Sequence, residues 1–333
     1  MDDTHIACCG TAVLDMFLHS PFARKGQLES VERIDYGAGG LACAVSIGLA
    51  QLGLPVEAIG MIGRDYFGQV LRDRLVSLGV GVSELKESSK HHTALSVIIV
   101  SPDGERTVYF SRGANEEFGP ACIDPAAFHN CRICHFGYPC IMPSFRGTKL
   151  ASFFRALQES GVITSLDTTW SSAAEPLADL EAALPFTDIF TPNLDEALHL
   201  SGTRADGISK EQIEQAGEFF LGRGVKVVVI TLGRNGSYLA SSREMPGDFS
   251  HLLPPAGIRI SCPAFGTRGN LNATGAGDFF AAGFLAGLFR GVSPQVALQA
   301  GNLAAALHME GSEIPHFEKL IPLIEQRPLL EAA

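Results

Sequence analysis

Short apolar segments typical of buried strands alternate with helical segments along most of this 333-residue chain. A first strand is predicted at 5–15, and PVEAIGMIG (55–63) predicts another strand directly before the amphipathic helix FGQVLRDRLVSLGV (67–80). Repeated strand–helix units form a parallel sheet whose two faces are covered by helices. We therefore predict an α/β fold with a mostly parallel sheet, in a single domain over residues 1–333.

Two regions depart from this alternation and predict a small additional β-structure. Two β-rich runs flank a turn signal at 102–105, which indicates an antiparallel hairpin. After the first strand, irregular sequence is expected as far as Tyr36, and a glycine turn at 37–40 then opens an apolar helix. We expect segments at about 11–36 and 92–115 to form a small β-sheet lid.

Composition excludes several classes of function. Acidic residues outnumber Lys and Arg, for a formal net charge of −11, so a basic surface for nucleic acid is not expected. The sequence predicts neither a secretory signal nor a membrane span, because it lacks the required apolar segments. The eight cysteines lie in apolar surroundings and are interpreted as reduced core thiols, which indicates a cytoplasmic protein.

The segment ATGAGDFFAAGFLAGLF (273–289) carries the strongest chemical signal in the chain. Gly275, Ala276 and Gly277 allow backbone N–H groups to approach an anion, and the N-terminus of the following helix adds positive potential. Asp278 would lie beside these donors, where a carboxylate can accept a proton from a substrate hydroxyl during phosphoryl transfer. From these residues alone, a glycine turn followed by a helix-capping acid is an equally good interpretation.

Two further motifs follow predicted strands, at the edge where α/β sheets bind ligands. Asn193 and Glu196 enter a helix and carry oxygens that suit Mg²⁺, although an N-cap with its capping-box partner is the commoner arrangement. Thr231, Gly233 and Gly236 belong to a glycine-rich turn that suits nucleotide phosphates or, equally, a hairpin.

Of two other nucleotide-binding patterns, the first is disfavoured and the second is excluded. The segment GAGGLA (37–42) fits G-x-G-x-x-G/A, but the acid expected at the end of the second strand is missing, since Glu57 lies at the start of that strand. A P-loop is excluded because Gly-Lys-Ser/Thr occurs nowhere in the chain.

Taken in order, these motifs resemble the PfkB/ribokinase family of carbohydrate and nucleoside kinases over nearly the whole chain. The glycine pair at 39–40 and the run IGMIGRDYFG (59–68) resemble its N-terminal half, and GAN (113–115) resembles its lid region. The motifs NxxE, TLGxxG and TGAGD follow at the expected spacing. The resemblance implies a ribokinase-like three-layer α/β/α sandwich with a mostly parallel sheet and a small β-sheet lid.

The resemblance also implies a role for each matching residue. Asp278 would be the general base, and the backbone of 275–277 would form the anion hole for the transferring phosphoryl group. From the residues alone, Asp15 could instead cap a strand and Asn302 could pack between helices. The implied roles are acceptor binding by Asp15, Gly39, Gly40 and Asn115, ATP binding by Asn193, Thr231, Gly233, Gly236 and Asn302, and Mg²⁺ binding, directly or through water, by Glu196.

The chain departs from the family pattern in three places. Ala44 replaces an Asn that often follows the glycine pair, which affects the acceptor site. Asn272 and Ala273 replace an Asp-Thr pair whose acid helps to hold a monovalent cation in some members, so the replacement argues against potassium activation. Asp-Thr-Thr at 167–169 replaces a common Asp-x-Asn-x-Arg, and the missing arginine favours an unphosphorylated acceptor.

The leading hypothesis is an ATP- and Mg²⁺-dependent kinase that phosphorylates a primary hydroxyl of a sugar or sugar-like small molecule. By the same resemblance, the lids of two copies would pair in a homodimer. A non-catalytic ligand-binding relative is a second alternative, which the substitutions just described motivate and the intact Asp278 opposes. The first alternative is a nucleoside kinase of the same family. Its aromatic acceptor pocket could come from Phe17, Phe110, Phe136 and Tyr138, although such residues more often pack in a core or lid.

Overall fold

The computed structural model describes most of the chain. It covers residues 4–20, 26, 28, 30–101, 106–169, 176–203, 209–245, 252–268 and 273–330. The turn predicted at 102–105 and the residue Asn272 lie outside these ranges.

The strands of the described residues form two separate sheets. They are β1 (His5–Gly10), β2 (Val13–His19), β3 (Arg33–Gly39), β4 (Val56–Gly63), β5 (Leu85–Ser88), β6 (Ala94–Val100), β7 (Arg106–Ser111), β8 (Cys131–Gly137), β9 (Ile163–Asp167), β10 (Ile189–Phe190), β11 (Val227–Thr231), β12 (Ser237–Ser241) and β13 (Arg259–Cys262). The large sheet has the order β13-β12-β11-β10-β9-β8-β1-β4-β5 and is parallel except at β12 and β13. The small sheet has the order β3-β2-β6-β7.

Helices cover both faces of the large sheet, so the predicted three-layer α/β arrangement is confirmed. They are α1 (Leu41–Gln51), α2 (Tyr66–Ser77), α3 (Thr148–Glu159), α4 (Pro176–Leu180), α5 (Leu194–Ser201), α6 (Lys210–Leu221), α7 (Ala276–Phe289), α8 (Pro294–Met309) and α9 (Phe317–Gln326). Alternate residues of β1 enter opposite cores, because successive side chains of a strand point to opposite faces. Ile6 and Cys8 pack with α1, α7 and α8, whereas Ala7 and Cys9 pack with α3, α5 and α6.

Very close packing positions α7, the helix that carries Asp278. Its residues from Phe279 to Leu288 are all buried. A Cβ on Gly283 would lie 2.5 Å from the carbonyl oxygen of Ala300 in α8, so only glycine allows the two backbones to approach this closely. Glycine costs a helix interior about 1 kcal/mol relative to alanine, and this contact offsets that cost.

The strand predicted at 5–15 is in fact divided between the two sheets. β1 pairs in the large sheet as far as Gly10, and β2 begins in the small sheet at Val13. Between them, the side chain of Asn115 accepts a hydrogen bond from the Ala12 N–H at 3.2 Å and donates one to the Ala12 carbonyl at 3.3 Å. The apolar run continues through the junction, so hydrophobicity alone does not reveal the change of sheet.

The segment before α1 also differs from the prediction. Part of the sequence expected to be irregular forms β3, which pairs with β2 along its whole length, so the glycines at 37–39 lie in a strand and not in a turn. Only Gly40 has a turn conformation, with φ of +75° at the N-cap of α1. A Cβ there would lie 2.4 Å from the Thr11 carbonyl oxygen, which explains the glycine.

The structure agrees with the predictions that the cysteines are reduced thiols and that the helices do not span a membrane. All eight cysteines are free thiols, and most of them are buried. Among the described residues, every helix is too short or too polar to cross a bilayer.

His135, in the middle of β8, makes stability sensitive to acid. Its ring is fully buried, with Nδ1 2.8 Å from the hydroxyl of Ser165 and no partner for Nε2 among the described residues. Burial lowers the pKa of His135 from 6.5 to about 3. Below about pH 6.5 the unfolded chain therefore binds a proton that the folded protein rejects, and stability falls as the pH drops toward 3.

We predict that His135→Gln flattens this pH dependence. One proton contributes a slope of at most about 1.4 kcal/mol per pH unit to the free energy of unfolding, and the variant should lose that slope between pH 6.5 and 4.5. Urea unfolding at several pH values measures it. His91→Gln, at an exposed position, should keep the wild-type slope, and an equal slope in His135→Gln would contradict the prediction.

Candidate active site

The candidate site lies where the parallel strands of the large sheet end, the usual ligand position in such folds. Tyr138 follows β8, Asp167 ends β9 and Thr231 ends β11. The N-terminus of α7 lies at the same edge, because the Tyr138 hydroxyl donates a hydrogen bond to Asp278 Oδ1 at 3.1 Å.

Asp278 has the properties of a general base. It lies in the first turn of α7, whose N-cap is Gly275 with φ of +80°. Burial raises the pKa of Asp278 to about 6; the hydrogen bond from Tyr138 opposes this shift, and the negative charge of Asp15 adds to it. Such a carboxyl group is mostly ionised at neutral pH and is more basic than an ordinary aspartate.

The loop at 274–278, called the anion loop below, leaves space for a ligand at its open end. A Cβ built on Gly277 would meet no atom within 4 Å, whereas one on Gly275 would lie 3.2 Å from Nε2 of His308. The Ala276 N–H donates to the Ala273 carbonyl at 3.2 Å. The amides of Gly277 and Asp278 make no such bond within the part of the chain that the structure describes. The Gly275 N–H likewise makes no such bond among these residues, so two of the three predicted donors, Gly275 and Gly277, remain available to an anion.

Tyr138 is a site residue that the sequence analysis interpreted only as a possible aromatic wall. Its backbone has φ of +63°, a left-handed conformation that is rare for a bulky residue and is often found at functional sites. The phenol reaches Asp278 across 140 positions of sequence. Tyr138 ends the apolar run CRICHFGY (131–138), but nothing in the sequence indicated its partner.

Two other contacts to the anion loop were also missed. Arg106, at the start of β7 in the small sheet, donates a hydrogen bond to the side chain of Thr274. His308, at the end of α8, lies 2.7 Å from the Thr274 carbonyl oxygen and stacks on Phe279 with ring centroids 3.8 Å apart. The loop is thus held by the small sheet on one side and by α8 on the other.

Several carboxylates lie close enough together to affect one another beside the anion loop. Burial raises the pKa of Asp167, and the negative charges of Glu196 and Asp278 raise it further. A cation relieves such repulsion, and carboxylate oxygens suit Mg²⁺. No three metal-ligating side chains surround one point among the described residues. The set therefore fits a Mg²⁺ ion that takes its remaining ligands from phosphate and water.

Asn193 and Glu196 form the capping box that the sequence allowed. Asn193 Oδ1 accepts from the Glu196 N–H at 2.9 Å, and Glu196 Oε2 accepts from the Asn193 N–H at 3.0 Å. A bridge between Asn193 and Thr231 brings this motif beside the glycine-rich turn after β11. That turn also leads into the antiparallel strand β12, so the hairpin interpretation is correct and is compatible with a ligand site at the same turn.

A cavity of about 360 Å³ joins the glycine-rich turn, the anion loop and α8. The side chain of Asn302 lines it and donates to the carbonyl oxygens of Cys262 and Pro263, at 3.3 and 3.0 Å. Most of the predicted ATP-binding residues therefore share one cavity. Its lining includes Thr231, Gly233, Gly236, Gly277 and Asn302.

On the other side of Asp278, the small sheet presents Asp15. Burial raises the pKa of Asp15 to about 6, and a hydrogen bond from the Ser96 side chain opposes that shift. Asp15 lies within β2 and not at the end of the first strand as predicted. A Cβ on Gly39 would lie 2.1 Å from Asp15 Oδ2, so this glycine makes room for the carboxylate itself.

The strand register defines an inner face of the small sheet, the face that carries Asp15. Ser96 and Phe110 lie in the same row as Asp15, while Phe17 lies in the next row. Arg106 lies on this face too, and its contact with the anion loop shows that the face is turned toward the site.

Two residues that the sequence suggested for the acceptor site are fully buried and have packing or hydrogen-bonding contacts within the protein. Phe136 is fully buried among the rings of Phe145, Phe153 and Phe154, so it packs in the core and does not line an acceptor pocket. Asn115 is fully buried, and its side-chain amide is hydrogen-bonded to the backbone of Ala12. Any effect of Asn115 on acceptor binding would therefore be indirect, through the position of the junction between the two sheets.

Comparison with known proteins identifies relatives along nearly the whole chain. The family model described as pfkB family carbohydrate kinase matches residues 3–313. A ribokinase from Haemophilus influenzae is 23% identical over 312 residues, which cover 91% of this chain and 92% of that protein. A nucleoside kinase from Methanothermobacter thermautotrophicus is 24% identical over 310 residues, which cover 93% and 90%.

Solved structures show the same fold. The structure of Arabidopsis thaliana ribokinase complexed with ribose and ATP matches with a TM-score of 0.81 at 22% identity, over 97% of this chain and 99% of that one. A nucleoside kinase from Methanocaldococcus jannaschii matches with a TM-score of 0.73 at 20% identity, over 97% and 98%. The predicted ribokinase-like fold is therefore confirmed.

We predict that Tyr138→Phe raises the pKa of Asp278. The phenol hydroxyl stabilises the ionised carboxylate, so its removal should shift the titration upward by about one unit. Carbon-13 NMR of labelled aspartate side chains, assigned with Asp278→Asn, measures the shift. Tyr109→Phe, at an exposed position of the small sheet, should leave the titration unchanged. An unchanged pKa in Tyr138→Phe would show that the hydrogen bond has no effect.

Proposed function

The chain belongs to the pfkB family of carbohydrate kinases, and from this premise we propose that it transfers the γ-phosphoryl group of ATP to a primary hydroxyl of a sugar or sugar-like small molecule. Asp278 is the general base in this proposal. The observation that carries it is a carboxylate with a pKa of about 6, next in sequence to a glycine that faces open space at a helix N-terminus. A protein that only binds sugars would not need a base there.

The proposed reaction uses the two sides of Asp278 differently. Tyr138 donates to Oδ1, which leaves Oδ2 as the oxygen for the hydroxyl proton of the acceptor. As this proton moves to the carboxylate, the acceptor oxygen bonds to the γ-phosphorus and the bond to ADP breaks. The amides of Gly275, Gly277 and Asp278, together with the dipole of α7, stabilise the charge on the transferring group.

The cavity next to the anion loop is the proposed ATP site. It is lined mainly by small and apolar residues, which suit an adenine ring, with Asn302 as a polar contact. The Arabidopsis ribokinase in the matching structure carries ATP. Mg²⁺ would supply charge neutralisation at the phosphates when bound, and Asp167 and Glu196 are the residues that would hold it, through water or directly.

The proposed acceptor site lies between Asp278 and the inner face of the small sheet. Asp15 would accept hydrogen bonds from sugar hydroxyls, and Ser96 stabilises its ionised form. The small sheet would act as a lid, since Arg106 already links it to the anion loop. A closed lid excludes water and so limits wasteful hydrolysis of ATP.

A nucleoside is the second candidate acceptor. Phe17 and the partly exposed Phe110 lie on the same inner face as Asp15, where they could stack on a base. The relatives include nucleoside kinases as well as ribokinases. Aromatic rings also pack against the apolar faces of sugars, so the acceptor screen described below distinguishes the two.

We also propose that the outer face of the small sheet pairs with a second copy of the chain. Tyr36, Met16, Val97 and Tyr109 form one apolar row across all four strands. Tyr36 and Tyr109 are 57% and 62% exposed, and Ile34 in the next row is 48% exposed. A continuous exposed apolar surface on a sheet usually marks an interface.

The predicted effect of Asp278→Asn is a loss of turnover without a loss of ATP binding. The amide cannot accept the proton, so kcat should fall roughly 10²- to 10⁴-fold. ADP release would be followed with ATP-Mg²⁺ against ribose, other sugars, sugar acids and nucleosides, and ATP binding by calorimetry. Asp73→Asn, on the exposed side of α2, should behave as wild type. Full activity of Asp278→Asn on the best acceptor would refute the assignment.

A charged outer face should abolish the dimer. Tyr36→Lys combined with Tyr109→Lys places two positive charges in each copy of the apolar row, so the double variant should be monomeric in light scattering after gel filtration. Tyr66→Lys is the matched control, because Tyr66 is 79% exposed on α2, outside the small sheet. A wild-type monomer at all concentrations, or a double variant that stays dimeric, would contradict the proposal.

A further inference from the structure

The segment that follows α9 returns to the edge of the proposed ATP site. The Leu330 N–H donates to the Ala264 carbonyl at 2.7 Å, and the Gly266 N–H donates to the Pro328 carbonyl at 3.2 Å. Leu329 faces Phe265 in an antiparallel bridge. Residues 327–330, called the tail below, therefore pair with residues 264–266, which follow β13, in a short two-stranded antiparallel ladder.

The side chain of Leu330 forms part of the cavity wall. It lines the cavity together with Phe280, Ala306 and Met309, which are all apolar. Leu330 is 40% exposed in the absence of a ligand. An apolar side chain at the mouth of an apolar cavity gains burial only when something fills the cavity.

An ion pair beside the cavity holds the tail against the end of α8 and the loop at 264–268. Arg327 donates to the Gly266 carbonyl through Nε at 3.0 Å and through Nη2 at 2.7 Å, and it also bonds to Glu310. Glu310 Oε1 accepts a further hydrogen bond from the Arg268 N–H at 2.6 Å. The side chains of Arg327 and Glu310 are only 16% and 7% exposed.

These contacts connect the tail to two elements that contribute other residues to the cavity wall. Glu310 is the C-cap of α8, the helix that carries Asn302 and Ala306 into the cavity. Arg327 joins this helix end to the loop at 264–268 and to the tail. The position of Leu330 is therefore coupled to the helix that contributes Asn302 and Ala306 to the same cavity, and charge-assisted hydrogen bonds make this coupling specific.

We propose that the tail is a nucleotide-binding element, in which Leu330 packs against the base of ATP and Arg327 positions it through Gly266 and Glu310. The proposal rests on the proposed kinase function. A base stacked on Leu330 removes its apolar surface from water, so the tail contributes to the affinity for nucleotide. Asp15 does not line this cavity, so the tail is not expected to contribute to acceptor binding.

Nucleotide binding to the full chain tests the proposal without knowledge of the acceptor. Calorimetry with ATP and with ADP would compare wild type, Leu330→Ala and Leu330→Met. We expect Leu330→Ala to weaken both nucleotides roughly five- to tenfold, and Leu330→Met, of similar volume, to restore most of the affinity. Leu323→Ala is the matched control, because Leu323 is a similarly exposed leucine on α9 that does not line the cavity.

Arg327 is tested as a positioning residue. Arg327→Met leaves Glu310 without its partner, so the double variant Arg327→Met with Glu310→Gln keeps the buried site neutral. With the acceptor that the screen identifies, both should raise KM for ATP several-fold while kcat and KM for the acceptor stay within twofold of wild type. Hydrogen exchange at 264–266 should speed up in the double variant and slow again when ATP is added.

The outcomes separate this proposal from the proposed function. If wild type binds no nucleotide, both fall. If wild type binds ATP but Leu330→Ala binds it equally well, or Leu323→Ala weakens it as much, only the tail proposal falls. Equal changes in KM for ATP and for the acceptor in the Arg327 variants would show a general loss of structure, and would also refute a specific role in nucleotide binding.

Discussion

The close packing of α7 between α1 and α8 is the constraint on which the site depends. A Cβ on Gly48 of α1 would lie 2.6 Å from the side chain of Ala282, and the contact of Gly283 with Ala300 leaves no more room on the other side. A helix held this tightly cannot slide along its axis, because interiors are close-packed. Its N-terminus, with Gly275 and Asp278, is therefore fixed at the edge where the parallel strands end.

The site concentrates negative charge before any ligand arrives. Asp15, Asp167 and Asp278 all have raised pKa values, chiefly because they are buried, and the charges of neighbouring carboxylates add to the effect at Asp167 and Asp278. Such groups cost the empty protein stability, and a cation or a hydroxyl donor relieves part of that cost. The left-handed backbone of Tyr138 is a further unfavourable feature at this edge, and backbone strain of this kind is often found at functional sites.

Most of the fold was predicted from the sequence, and the errors of that prediction share one cause. Strand–helix alternation predicted the parallel sheet and its helices, and β-rich runs predicted the hairpin of β6 and β7. The prediction was wrong at 5–15 and at 37–39. At 5–15 the chain passes from the large sheet into the small one, and 37–39 belong to a strand of the small sheet. Local pattern shows that a residue is extended and apolar, but it does not show which partner strand it meets.

For the site, the sequence by itself determined the residue types at each loop and helix start. These include the anion loop with Asp278, the capping box of Asn193 and Glu196, and the glycine-rich turn after β11, because each depends on neighbours a few positions away. Only the tertiary structure decided that Tyr138 reaches Asp278, that Arg106 and His308 hold Thr274, and that Leu330 borders the cavity. These contacts join residues far apart in the chain, and their geometry arises only when the helices and both sheets pack together.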